Sequence, residues 1–170
     1  SYPDYETVKY VLNSNKIIQV RRRKINQLPS LVEIFSRSVY NVDNTGNVRI
    51  WGSEELLLKL LTDTNSKFYL PTLYPNLVDD LMSTSKSFPT TNNMIPKFSR
   101  KIRVLELGAG QTGLAALGLA AFFGEENVDA YVTDGNPSCV RNIKECIQLN
   151  GFTSSTKAQK LLWDKEDKLG

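Results

Sequence analysis

Three glycines and two acidic residues are spaced in a way that could hold a small ligand. Gly108, Gly110 and Gly113 follow the G-x-G-x-x-G spacing, with Glu106 just before the first glycine and Asp134 further along the chain. Glycines at this spacing let backbone amides approach a ligand at the start of a helix. The pattern is typical of nucleotide-like ligands, but taken alone it also fits a plain tight turn.

The charges beside the glycines indicate which ligand the turn holds. A carboxylate at Glu106 would repel a pyrophosphate, whereas it would attract the ammonium and sulfonium groups of S-adenosylmethionine (SAM). Asp134 can accept hydrogen bonds from ribose hydroxyls, which both dinucleotides and SAM carry. Two interpretations without a ligand stay open at this point: Glu106 caps amides of the turn, and Asp134 caps the helix that follows it.

Apolar runs and helical patterns alternate after residue 99. They predict three strands and two helices, in the order 102–107, 112–123, 128–134, 136–151 and 158–164. The second helix is the better marked, because Asn136 can cap it, Pro137 suits its first turn and Gly151 can end it. This alternation predicts an α/β fold with a doubly wound parallel sheet, in which ligands bind beyond the carboxyl ends of the strands.

Composition limits the classes of function. The chain has 170 residues, of which 41% are hydrophobic and 23% charged, and this suits one globular core. It has no histidine, so the commonest general base and zinc ligand are missing, and we predict no metal site. We see neither a transmembrane run nor a signal peptide, so we expect an intracellular protein that binds no membrane.

Positive charge collects near the front of the chain, in VRRRKI at residues 20 to 25. The net charge is only +3, which is weaker than nucleic-acid-binding domains usually carry, so we predict no nucleic-acid partner. We interpret the cluster as a solvated face of a strand or helix. An acidic protein partner would suit it equally well.

Four stretches of the chain are similar to a known family. LELGAGQTGLAAL (105–117), VTDGNPSCVRNIKECIQLNG (132–151), DNTGNVRIWGSEELL (43–57) and LLWD (161–164) resemble the family 16 seven-β-strand protein-lysine methyltransferases. The resemblance covers roughly residues 40–61 and 100–164. It implies a Rossmann-like class I methyltransferase fold, SAM as the cofactor and a lysine ε-amine as the methyl acceptor.

The resemblance also implies which residues contact the cofactor. Trp51 is similar to the family tryptophan that lies against the cofactor, and Asp134 to the acid that binds the ribose. Trp163 and Asp164 look like the pair beside the adenine. The remaining expected contacts lie in the stretches 105–117 and 132–151: Glu106, Gly108, Gly110, Gln111, Thr112, Gly135 and Asn136. Of these, Glu106, Gly108 and Gly110 match the family motif around the methionine end of the cofactor.

Composition divides the chain into three parts. Residues 1–61 form an N-terminal region that leads into the cofactor site, 62–98 a Ser/Thr/Asn/Pro-rich surface insertion, and 99–170 the first half of the SAM-binding domain. The family fold needs four more strands, and this sequence stops at Gly170, where the next should begin. We therefore expect an incomplete sheet and weak or no catalysis by these residues alone, and we assign no catalytic residue.

The resemblance implies methyl transfer to an acidic protein, with calmodulin as the first candidate, by a full-length protein that is a monomer. We expect this protein in the cytoplasm, with the nucleus as a second location. Three alternatives stay open: a methyltransferase of the same family with another target, a non-catalytic SAM-binding fragment, and an NAD(P)-binding oxidoreductase. Glu106 and the match over 43–57 disfavour the last of these.

Overall fold

A computed structural model describes residues 4–12, 16–24, 50–77, 98 and 100–162. Within these ranges the chain forms five strands and four α-helices. In chain order they are β1 (Tyr5–Val11), β2 (Ile17–Arg23), α1 (Gly52–Thr62), α2 (Leu70–Leu73), β3 (Ile102–Glu106), α3 (Leu114–Phe123), β4 (Val128–Asp134), α4 (Pro137–Asn150) and β5 (Thr156–Lys160). A short 3-10 helix over Pro75–Leu77 follows α2. None of the helices in the described ranges is long and apolar enough to cross a bilayer.

The strands β3, β4 and β5 form a parallel sheet in that spatial order. The helix α3 connects β3 to β4, and α4 connects β4 to β5, which confirms the predicted α/β class. The face that these helices cover is buried, as at Val132. On the opposite face Leu105 and Tyr131 are exposed, because side chains alternate along a strand.

The helix α3 is buried on every side. All ten of its residues are buried, since it lies between the sheet and the elements α1 and β2. Close packing against α1 depends on Gly118, because a Cβ there would lie 2.4 Å from the Cδ atoms of Leu58. The small residues of the sequence TGLAALGLAAFF therefore let two helices and a sheet share one core.

The helix α4 begins and ends at the predicted residues. The Asn136 side chain accepts a hydrogen bond from the Ser138 amide at 2.8 Å, and Pro137 is the first helical residue. At the other end Gly151 has a φ of 76°, the left-handed conformation that favours glycine. Local capping signals thus set both ends of the helix.

The N-terminal strands form an antiparallel hairpin that packs on α4. Ile18 and Val20 of β2 are fully buried against the helices. Gln19 and Asn150 exchange two hydrogen bonds, one from the Gln19 amide at 2.8 Å and one to its carbonyl at 2.6 Å. The sequence analysis did not predict this hairpin, whose pairing and docking are largely non-local.

The basic cluster lies on β2 and just after it, and it pairs with acids of the same chain. The interpretation of the cluster as a strand face is correct for its partly exposed side chains, although Arg23 is buried. Three ion pairs involve these residues: Arg21–Glu145 (3.3 Å), Arg22–Glu6 (2.7 Å) and Lys24–Asp4 (2.6 Å). Much of the positive charge of the cluster is therefore paired with acidic residues of the same chain.

The third strand of the sheet differs from the prediction. The strand β5 runs from Thr156 to Lys160 rather than over 158–164, and Lys160 stands opposite Asp134, the last residue of β4. The prediction placed the strand too far along the chain because residues 161–162 are apolar. In the structure, pairing with β4 decides where the strand ends. Trp163 and Asp164 lie outside the described residues.

The helix α3 also begins two residues later than predicted, because Gly113 before it has a left-handed φ of 63°. In the proposed insertion, residues 62–77 are described and 78–97 are not. Tyr69 is buried and its ring centroid lies 6.3 Å from that of Phe123 in the core. The start of the insertion thus contributes to the core, while its boundaries stay a prediction.

Candidate functional site

The glycine turn lies at the carboxyl end of the sheet. Glu106 is the last residue of β3 and Asp134 the last of β4, so both acids flank the turn that connects β3 to α3. Gly108, Gly110 and Gly113 have φ angles of 63°, 61° and 63°. Residues that carry a side chain rarely adopt this backbone conformation, so the turn requires glycine at all three positions.

Asp134 connects the turn to the helix that follows β4. Its Oδ2 accepts a hydrogen bond from the Gly110 amide at 2.8 Å, and its Oδ1 accepts one from the Asn136 amide at 2.7 Å. Burial raises the pKa of this carboxyl, and these two hydrogen bonds, with a third from the Cys139 thiol, act in the opposite direction. The interpretation that Asp134 caps the start of α4 therefore holds, and the same carboxylate also fixes the turn.

Glu106 caps the first turn of α3. Its Oε2 accepts a hydrogen bond from the Ala116 amide at 2.8 Å, and the Ala115 amide also donates to this carboxylate. Burial raises the pKa of Glu106 to about 7, with a smaller contribution from the nearby charge of Glu54. Glu106 therefore is a cap, but of the first turn of α3 and not of the glycine turn, and its contact with a cofactor stays a prediction.

This cap affects which ligands the turn can hold. In folds that bind a pyrophosphate, amides at the start of the helix after the first strand point at the ligand. Here the amides of Ala115 and Ala116 are hydrogen bonded to Glu106. A pyrophosphate at this position would meet a buried carboxylate in place of free donors.

Glu54 is a member of this site that the sequence analysis missed. Its Oε1 accepts a hydrogen bond from the Trp51 amide at 3.1 Å, and the Thr112 hydroxyl lies 3.5 Å from its Oε2. Burial raises the pKa of Glu54, and the charges of Glu55 and Asp134 add to the effect. Glu54 of α1 thus interacts electrostatically with both acids at the strand ends. The glutamate at the third helical position of α1 was the available signal.

The remaining predicted residues differ in what they offer a ligand. Trp51 precedes α1 and its side chain is partly exposed. Gln111 is almost fully buried, and its Oε1 accepts the Arg23 amide at 2.7 Å, so this side chain is directed at the hairpin. Thr112 is fully buried and Gly135 half-buried beside Asp134. Across the described part of the chain, no group of three His, Cys, Asp or Glu residues could hold a metal ion.

Known proteins resemble the chain over most of its length. A family model described as lysine methyltransferase matches residues 42–169. The calmodulin-lysine N-methyltransferase of Arabidopsis thaliana is 32% identical over 129 residues, which make up 74% of this chain. The chain spans 31% of the length of that relative.

Two solved structures of human METTL16 show a distant likeness. The N-terminal domain in complex with SAH has a TM-score of 0.40 at 14% identity, covering 94% of this chain and 55% of that one. The catalytic domain in complex with the MAT2A 3′UTR hairpin 6 has a TM-score of 0.42 at 12% identity, covering 90% and 44%. The family match includes the glycine turn and α1, so the chain belongs to the lysine methyltransferase family, with S-adenosylmethionine as its cofactor.

Proposed function

We propose that this chain carries the SAM-binding part of a protein-lysine N-methyltransferase and that its substrate is calmodulin. The observation that carries the cofactor site is the position of Glu106, whose carboxylate holds the first amides of α3 beside the glycine turn. The lysine methyltransferase family and the calmodulin-modifying relative support the reaction and the target.

The charges at the turn fit a cationic ligand. Glu106, Glu54 and Asp134 all have raised pKa values, chiefly because burial disfavours their charged forms. A nearby positive charge lowers such pKa values and stabilises the carboxylates. The ammonium and sulfonium groups of SAM would supply that charge, whereas a pyrophosphate would make the repulsion worse.

The two ends of the site would hold different parts of the cofactor. The Asp134 carboxylate accepts two backbone amides and the Cys139 thiol, and a carboxylate has about four acceptor positions, so one stays available for a ribose hydroxyl. The partly exposed indole of Trp51, three residues before Glu54, could face the sulfonium. Trp163 and Asp164, expected beside the adenine, would complete the site.

The bound cofactor supplies an electrophilic methyl carbon, and the protein's part is to hold the reacting groups in line. When the attacking amine is held about 3 to 3.5 Å from the methyl carbon, this proximity accounts for most of the rate enhancement of methyl transfer. The lysine must lose its proton first, which a desolvated channel favours by lowering its pKa. No base is needed on the chain, which agrees with the lack of histidine.

Calmodulin is proposed as the substrate because of the relative alone. The basic residues of β2 are a weak candidate for binding an acidic protein, since Arg21 and Arg22 already pair with Glu145 and Glu6. The geometry of the turn would agree equally well with a different protein as the substrate.

Two measurements test the proposal. Calorimetric titration of the protein with SAM and with NAD⁺ should give binding of SAM alone. Incubation of the full-length protein with methyl-labelled SAM and calmodulin should label one or more calmodulin lysines. Label on another protein but not on calmodulin would overturn the target and keep the methyltransferase, whereas binding of NAD⁺ without SAM would overturn the cofactor assignment.

A further inference from the structure

Asn142 lies behind the glycine turn and joins it to the N-terminal hairpin. Its Nδ2 donates to the carbonyl of Gln111 in the turn at 2.6 Å and to the carbonyl of Arg21 in β2 at 2.7 Å. Since both partners are acceptors, only the NH₂ group of the side chain can face them. One buried side chain of α4 therefore bonds to two separate elements at once.

The side-chain oxygen of Asn142 indicates that the two hydrogen bonds donated by its NH₂ group are important. Asn142 Oδ1 is buried and has no hydrogen-bond partner among the described residues. Leaving a buried acceptor unpaired destabilises the folded state. An apolar side chain would avoid this cost but would leave the carbonyls of Gln111 and Arg21 without these donors.

The hairpin reaches the turn by a second hydrogen bond. The Arg23 amide at the end of β2 donates to Gln111 Oε1 at 2.7 Å, and the Gln111 side chain is almost fully buried. Gln111 is thus held through its backbone by α4 and through its side chain by β2. The back of the glycine turn rests on two elements that lie far apart in the sequence.

The turn has little room to move against these supports. A Cβ at Gly113 would lie 2.5 Å from Val132 Cγ1 of β4 and 3.6 Å from Ile143 Cγ2, in the residue next to Asn142. Close packing of this kind transmits small displacements instead of absorbing them. A change in how α4 or β2 is seated would therefore shift the amides on the ligand side of the turn.

We propose that Asn142 is a positioning residue for the cofactor site: by holding Gln111 and Arg21 together, it makes SAM affinity depend on the local junction between the end of β2 and the glycine turn. The inference rests on the proposed SAM site. Asn142 itself contacts the back of the turn and needs no contact with the cofactor. Its loss should weaken SAM binding by more than its effect on folding accounts for.

Asn150 provides a matched control on the same helix, about two turns further on. Its Nδ2 donates to the carbonyls of Gln19 and Cys146 at 2.6 and 2.7 Å, and its Oδ1 accepts the Gln19 amide at 2.8 Å. It docks the same hairpin to the same helix and none of these three hydrogen bonds involves the turn. Removing it costs at least as many hydrogen bonds as removing Asn142.

The test compares Asn142→Ala with Asn150→Ala. Thermal unfolding of the ligand-free proteins should show a lower Tm for both variants. Calorimetry with SAM should show binding weakened about tenfold or more by Asn142→Ala and about threefold or less by Asn150→Ala. Equal affinities for the two variants would overturn the inference and leave the SAM site standing, whereas a wild-type protein that does not bind SAM would overturn both.

Hydrogen exchange on the wild-type protein is a second test, which can be made even if Asn142→Ala does not fold. SAM should slow exchange of the Arg23 amide, which is bonded to Gln111, and leave the Gln19 amide, which is bonded to Asn150, nearly unchanged. No change at Arg23 on binding SAM would overturn the proposed coupling between the hairpin and the turn.

Discussion

Asp134 Oδ2 lies 2.8 Å from the backbone nitrogen of Gly110, so the end of β4 is hydrogen bonded to the turn that follows β3. The other oxygen accepts the Asn136 amide at the start of α4. An ionised carboxylate can accept at both oxygens, whereas an amide side chain accepts at only one. Asp134 therefore organises the turn, and the proposed contact with a ribose would use a remaining acceptor position of the same carboxylate.

Replacing Asp134 with asparagine should weaken SAM binding about tenfold or more and lower the Tm. The new NH₂ group would face the amide of Gly110 or of Asn136, both of which are donors. Calorimetry with SAM and thermal unfolding measure the two effects. Asp129→Asn is the control on the same strand, because Asp129 is partly exposed and pairs with Lys101 away from the turn. Unchanged SAM affinity in Asp134→Asn would contradict the ribose assignment.

Glu106 should make stability depend on pH. Its pKa is raised to about 7 in the folded protein from 4.5, mainly by burial, so the folded state holds this proton more tightly than the unfolded state. The free energy of unfolding should therefore fall as pH rises between these two values and level off above them. Thermal unfolding without ligand, measured across this range, should show a falling Tm.

The variant Glu106→Gln should flatten that pH dependence, because glutamine does not titrate and its Oε1 can still accept the Ala116 amide. It should also bind SAM more weakly at neutral pH, since a negative charge is lost. A residual slope from Asp134 and Glu54, whose pKa values are also raised, is expected. Parallel pH curves for wild type and variant would show that Glu106 does not titrate in this range.

Glu54 should help the site distinguish SAM from its demethylated product. The product has a neutral sulfur, so loss of a carboxylate should weaken SAM more than the product. Glu54→Gln is expected to reduce the ratio of the two affinities about three- to tenfold, measured by competitive calorimetry. Glu55→Gln is the adjacent control, because Glu55 is exposed and accepts the Tyr10 hydroxyl. An equal loss for both ligands would mean that Glu54 only supports the fold.

Gly113→Ala should destabilise the protein by about 2 to 5 kcal/mol. The residue has a left-handed φ of 63°, and a Cβ would lie 2.5 Å from Val132 Cγ1. Gly52→Ala is a suitable control, since a Cβ there meets nothing within 4 Å. Urea unfolding should separate the two variants clearly. A Gly113→Ala protein as stable as Gly52→Ala would mean that the turn can rearrange.

Local signals in the sequence were enough to predict β4 and α4. Asn136 and Pro137 mark the start of the helix, Gly151 marks its end, and the alternation over Val128–Asp134 marks the strand. The strand β5 was misplaced because its sequence, TKAQK, has little apolar pattern of its own. Its position comes from pairing with β4, which the sequence does not display.

The same distinction holds at the site. Glu106 and Asp134 were found because each stands at the end of a recognisable strand. The direction of the Gln111 side chain could not be predicted, because its partner Arg23 lies 88 residues away. Glu54 was overlooked as a site residue for a similar reason, since 58 residues separate it from Thr112.

The hairpin that docks on α4 sets a constraint on synthesis. Gln19 is bonded to Asn150, which is 131 residues later. At about 5 to 20 residues per second, a ribosome needs roughly 7 to 26 seconds to make that intervening chain. During this time the apolar side chains of Ile18 and Val20 have no α4 to pack on, so this hairpin cannot reach its final packing until α4 has been made.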